Sequence, residues 1–165
     1  MQDRFKFRGL KNGQWYYGAY LKHLPYTPQP IREYEIPEKD FKHLIIKDGF
    51  SDWGLPRDIK AVEIEPATIG QCTGLKDKNG KLIFEGDIVR MYNNCIDNLH
   101  IVKFGDFAMF DFDFQEDYEK GSTAVYGWYL GGQKYPIPLS ISLETSGMQI
   151  EVIGNIYENA DLLGA

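Results

Sequence analysis

Two Asn-Gly dipeptides, Asn12-Gly13 and Asn79-Gly80, constrain this chain more than any other feature. Both residues of such a pair tolerate positive φ, the backbone twist that a tight β-hairpin demands, and each pair lies between apolar or aromatic runs. A chain so punctuated folds as antiparallel strands. Before the first pair, Arg4-Phe5-Lys6-Phe7-Arg8 alternates with period two, which predicts a strand with both rings on one face and the three cations on the other. After it, Gln14 to Leu21 reads as the returning strand, carrying Trp15, Tyr16, Tyr17 and Tyr20.

The stretch Gln71 to Val89 raises the question of whether its glycines and charges form a working loop or a turn. Asp77-Lys78-Asn79-Gly80 has turn chemistry, and Leu82, Ile83 and Phe84 supply an outgoing strand. Gly86-Asp87 makes a second bend, in which the short Asp side chain can accept from nearby backbone amides before Ile88 to Met91 resumes a strand. A phosphate-cradling loop would lead into a helix, as GxxxxGK[ST] or GxGxxG, and neither pattern occurs. The turn reading therefore accounts for the glycines. Gly9-Leu10-Lys11 with Asn12-Gly13 echoes Gly74-Leu75-Lys76 with Asn79-Gly80. Either this is a weak internal repeat or two hairpins obey one rule, and the absence of a third copy favours the second.

Elsewhere the texture varies. Pro25, Pro28, Pro30, Pro37 and Pro56 break up residues 23–66. Within that segment Pro37, Glu38, Lys39 and Asp40 precede Phe41, Leu44 and Ile45 at helical spacing, predicting a short helix over about 37–47. Ile59 to Ile64 reads as a strand. His100 to Phe104 and Ala108 to Phe114 read as a strand pair around Gly105-Asp106, Glu116 to Ser122 as a charged loop, and Val125 to Leu130 as an aromatic strand. Gly131-Gly132 with Pro136 and Pro138 is an irregular connection; Ile150 to Tyr157 is a final strand interrupted by Gly154, and Asn159 is placed to cap a C-terminal turn.

The 165 residues suit one domain, 1–165, with subregions at 1–22 (hairpin), 23–66 (Pro-rich) and 67–160 (barrel-like core). A 15% aromatic content favours strands over disorder. The net charge of -6 disfavours nonspecific nucleic-acid binding, which draws on Lys and Arg displacing counterions. Cys72 and Cys95 fit neither a disulfide scaffold nor a zinc site and read as reduced, partly buried thiols. With no apolar leader and no apolar run of about 18 residues, the expectation is a cytoplasmic protein without membrane association.

Candidate chemistry is sparse, and no catalytic residue, metal ligand or cofactor is assigned. Asp111 and Asp113 could offer two oxygens to Mg²⁺ or Ca²⁺, but on a Phe-rich strand they read as solubilising charges. His23, His43 and His100 each stand alone; Cys95 with His100 could form a dyad only through tertiary structure, against the plainer reading of a small thiol and a strand-edge His. The best binding material is Trp15, Tyr16, Tyr17, Trp128 and Tyr129, since rings stack on bases or partner side chains, although alternating aromatics mostly fill cores. In each adjacent pair one ring faces away from the other, so part of this surface is exposed or covered by another subunit.

Thr68-Ile69-Gly70-Gln71, Thr73 to Gly80, Glu85-Gly86-Asp87-Ile88-Val89 and Val152 to Asn159 together resemble the YopX family of small phage- and prophage-encoded proteins, and Lys6-Phe7-Arg8 is similar to its usual start. Cys72 stands where that family often has an aromatic, and Ala160 where Pro is common. The resemblance implies a β-rich fold and a mobile-element origin, and imports no catalytic residue. The Gly-Asp-Ile-Val bend is also similar to bends in SH3-like barrels. The expectation is a mainly β (β-rich α+β) fold of antiparallel hairpins in a partly open SH3-like barrel, with one or two short helices. In function it is a non-enzymatic interaction or assembly module, self-associating and binding a phage or host protein; the alternative is a single-strand nucleic-acid accessory protein.

Overall fold

Across the first Asn-Gly turn, Lys11 faces Gln14, with Asn12 at φ 50° and Gly13 at φ 75°. This is the two-residue hairpin with both central residues left-handed. A computed structural model describes residues 3–27, 35–49, 54, 57–110, 122–133, 135–144 and 147–164. The chain divides into two compact units, Met1–Cys72 and Thr73–Ala165.

In the first unit the hairpin strands are β1 (Phe7–Lys11) and β2 (Gln14–His23). They are joined by β3 (Lys42–Asp48), β4 (Ile59–Glu63) and the first residues of β5 (Gly70–Lys76), in the antiparallel order β4-β3-β2-β1-β5. Ile45, Ile64 and Cys72 are its buried apolar side chains.

The second unit begins with the rest of β5, which turns into β6 (Leu82–Phe84). Then come β7 (Asp87–Tyr92), β8 (Asp97–Phe110), β9 (Ser122–Gly131), β10 (Ile137–Pro138), the six-residue α1 (Leu139–Glu144) and β11 (Gln149–Asn155), with strand order β10-β9-β8-β7-β11. Alternate residues point inward: Val89 and Met91 of β7, Val102 of β8, Leu130 of β9, and Ile150 and Val152 of β11 meet Ile83 and Leu139 in one core. Burying side chains of this size contributes roughly 1.5–3 kcal/mol each. The fold is thus mainly β, as the turn dipeptides imply; among the described residues the sheets stay open, and no closed barrel forms.

The turn at residues 77–81 is held from several sides. The Asp77 carboxylate accepts from the backbone N–H groups of Asn79 (2.8 Å), Lys81 (2.9 Å) and Val152 (3.0 Å), while Lys78 N–H donates to Ile150 O. Burial alone would raise the Asp77 carboxyl, but these three donors outweigh it and hold the group below its ordinary value. At the second bend Gly86 adopts φ 77° and Asp87 accepts from Phe84 N–H, as the sequence suggests.

Four expectations are corrected. Residues 3–5 form a 3-10 turn, with Lys6 bonded to Asp3 through its backbone N–H and its side chain, so the strand begins at Phe7. Arg8 is accordingly buried over the Trp15 ring rather than on a wet face, its guanidinium carbon 4.8 Å from the ring centroid. The helix expected over 37–47 is only a 3-10 turn at Glu38–Asp40 followed by β3, because Leu44 to Ile46 can pair on both sides, with β2 and β4, an outlet no isolated helix offers. No hairpin turns at Gly105-Asp106: β8 runs straight through, pairing Gly105 with Gly127. Finally, Asn159 precedes the 3-10 turn Ala160–Leu163, but its side chain accepts backward from Asn155 N–H instead of capping forward. Asp111, Asp113, Phe112, Phe114 and most of the expected charged loop lie outside the described residues. No helix among those described is long and apolar enough to cross a membrane.

Candidate functional site

Among the described residues the longest pairing is β8 with β9, ten residue pairs from Ile101–Gly131 to Phe110–Ser122. β7 accompanies β8 only as far as Ile101, and β10 accompanies β9 only at Tyr129 and Leu130. Beyond those points the described residues form a two-stranded ribbon. On the face continuing from the core, Phe104 lies opposite Trp128, ring centroids 4.7 Å apart, and Tyr126 meets Phe104 edge-on at 5.0 Å. Trp128 also packs against the core, whereas Phe104 and Tyr126 are 42% and 67% exposed. On the other face Tyr129 packs on the buried Phe107 at 4.8 Å.

This arrangement divides the five aromatics that the sequence singles out. Trp128 and Tyr129 sit on opposite faces of β9, as strand alternation requires. In the first unit, Trp15 is half-buried under Arg8, Tyr16 receives Lys47 at 5.2 Å from its ring and bonds Gln14, and Tyr17 is exposed opposite Arg8. The sequence reasoning missed Phe104 and Tyr126. Tyr126 was legible from its i, i+2 spacing to Trp128, but Phe104 needed the strand register.

The histidines are also placed by tertiary structure. His43 is buried, with Tyr20 Oη 2.7 Å from Nδ1 and Glu38 Oε1 3.2 Å from Nε2, and Lys22 bridges to Glu38 at 2.5 Å. The Tyr20 hydroxyl and Nδ1 share one hydrogen bond, whereas Nε2 lies near Glu38 without making one. Hydroxyl, imidazole and carboxylate occur here in the order of an activated nucleophile. Burial, however, pushes the Tyr20 phenol above its ordinary value, away from ionisation. The array therefore gives one nitrogen of a buried imidazole a partner and does not arm the Tyr20 oxygen.

His100 is no strand-edge residue: it lies inside the sheet on β8, opposite Val89 and 1% exposed. Neither ring nitrogen has a hydrogen-bond partner among the described residues, and burial pushes its basicity down. Cys95 is exposed rather than partly buried, so the two do not form a dyad; Cys72 is fully buried.

A cleft of about 550 Å³ opens between Lys76–Asn79 on one side and Leu143 with Met148–Ile150 on the other, Met148 and Ile150 among its apolar lining. Two of its polar side chains are engaged: Lys78 pairs with Glu151 (2.8 Å) and Tyr92, and the Asn79 amide donates to Glu151 (3.2 Å). Hydrogen bonds from Lys78 and Asn79 hold Glu151 below the usual carboxylate range. Alongside, Arg90 grips Asp97 through two bonds of 2.7 and 2.6 Å, holding that carboxyl low. Among the described residues no group of three or more His, Cys, Asp or Glu could hold a metal ion.

The family model described as YopX protein matches residues 32–164. The chain belongs to the YopX family. No curated protein and no solved structure matches it. The YopX match takes in the whole second unit but its last residue, and with it the ribbon, the Asp77 turn and the Gly86-Asp87 bend. Lys6-Phe7-Arg8 and the β2 aromatics Trp15, Tyr16 and Tyr17 precede the matched stretch. Of the two aromatic surfaces, the Phe104–Tyr126–Trp128 face is therefore the one that lies within the YopX stretch.

Proposed function

We propose that this YopX family chain works without chemistry of its own, as a protein-interaction and assembly module of phage or prophage type that engages partners through the β8–β9 ribbon. The observation that carries this reading is the ring cluster: Phe104 in contact with both Tyr126 and Trp128, two of the three rings exposed, on a ribbon that its sheet neighbours among the described residues do not follow. Aromatic side chains anchor protein interfaces because they bury large, rigid area at low entropic cost. A net charge of -6 favours a protein occupant over a polyanion, and the described ribbon residues carry only Lys103 and Asp106, which offset one another.

Light scattering over a concentration series tests this. The native chain is expected to assemble, and Phe104→Ser with Tyr126→Ser to lose assembly while keeping its unfolding midpoint, since neither ring fills the core. Trp128 fluorescence titrated with single-stranded DNA at low salt is expected to stay unchanged; quenching at micromolar protein would transfer the ribbon to the nucleic-acid reading.

A further inference from the structure

We propose that β9 is a self-pairing edge, to which a second copy of this chain adds its own β9 antiparallel about a two-fold axis at Val125. The inference rests on the assembly reading above and names its partner and register. From Ser122 to Trp128, β9 has β8 on one side and no strand on the other among the described residues. Proteins usually guard such an edge with charge, proline or a bulge. β9 has none of these in its first eight residues, and its ten pairs with β8 run without a register shift.

The identity of the occupant follows from the order of side chains. In an antiparallel pair related by a two-fold axis, opposite residues share a face, so the axis at Val125 sets Ala124 against Tyr126 and Thr123 against Gly127, each twice, with Val125 against itself. Large meets small at every off-axis position. Shifting the axis to Tyr126 would oppose the two tyrosine rings and lose this fit. The exposed Tyr126 ring then covers the partner's exposed Ala124. Although each chain carries a net charge of -6, no charge lies in the seam to oppose pairing. An extended segment of another protein could add to the same edge, but nothing in β9 selects it, whereas the reversed copy fits.

Cysteine cross-linking tests the register. In a Cys95→Ser background, which removes the exposed thiol, Val125→Cys is expected to form a disulfide-linked dimer under mild oxidation, and Ala124→Cys, whose counterpart is Tyr126, is not. Val125→Lys, which sets two ammonium groups face to face, is expected to weaken self-association by at least about tenfold, read by light scattering. A dimer that survives Val125→Lys and gives no Val125→Cys link overturns the edge and leaves assembly through the ring face standing. A native chain that stays monomeric up to millimolar concentration overturns both.

Discussion

The turn at residues 77–81 and the β8–β9 ribbon lie in the same unit, yet they stand at opposite ends of a scale of local determination. At the turn a single carboxylate gathers three backbone donors, two from the turn itself and one from β11, and Lys78 and Asn79 both bond Glu151. In the ribbon, backbone groups on the outer edges meet no strand among the described residues, and large rings are left exposed. Charge and polarity are invested where this unit fixes its turn, and apolar surface is left on the ribbon, where the proposed association would use it. The residues that look most like chemistry are scaffold, and those that look most like core include the exposed surface.

The sharpest way to break that contrast is Asp77→Ala. Removing an acceptor of three N–H bonds, one of them from buried Val152, is expected to destabilise the second unit by about 3–5 kcal/mol, seen as a drop in the urea midpoint. Asp77→Asn, which keeps one carbonyl acceptor, is expected to recover part of this. If Asp77→Ala shifts the midpoint no more than Tyr126→Ser does, the turn is not the organising knot.

Acid sharpens the same contrast. His100 is buried without a hydrogen-bond partner among the described residues, and its basicity is depressed in the fold, so the unfolded chain binds the proton more readily. Stability from this group is complete above the ordinary His value of 6.5 and falls below it, by up to about 1.4 kcal/mol per pH unit for one proton. Asp77 acts in a lower window: its carboxyl is held below the ordinary 3.8, so its contribution is present above that value and is lost as pH falls further. Urea midpoints at successive pH values should therefore show two steps. His100→Leu should abolish the upper one and spare the lower; an upper step that persists in that variant assigns it elsewhere.

Local chemistry made much of this fold legible in advance. Asn12-Gly13, Asn79-Gly80 and Gly86-Asp87 announce their turns because positive φ and Asp-to-amide bonding are properties of two or three adjacent residues. What escaped depends on distant partners. Residues 41–45 carry helical spacing, but β2 and β4 are available to pair with them; Gly105-Asp106 has turn composition, but Gly127 and Tyr126 lie across from it. The same holds for the sites. Trp128 was visible as an aromatic, yet its partner Phe104 is 24 positions away and joins it only through strand register. His43 looked solitary because Tyr20 and Glu38 reach it from β2 and from the turn before β3.

The finest test compares two glycines. Gly80 has φ 79° in the Asp77 turn, whereas Gly127, in the ribbon opposite Gly105, is not in the left-handed region; a Cβ at either meets nothing within 4 Å. Sterics with neighbours therefore cancel, and backbone conformation alone separates them. Gly80→Ala forces an L side chain into the left-handed region and is expected to cost about 1–2 kcal/mol. Gly127→Ala meets no such strain and restricts the unfolded chain, so it is expected to be neutral or to stabilise by about 0.5 kcal/mol. Equal losses in the two variants would mean that the ribbon is as tightly specified as the turn, and that its exposed rings are held in place by the fold rather than left for a partner.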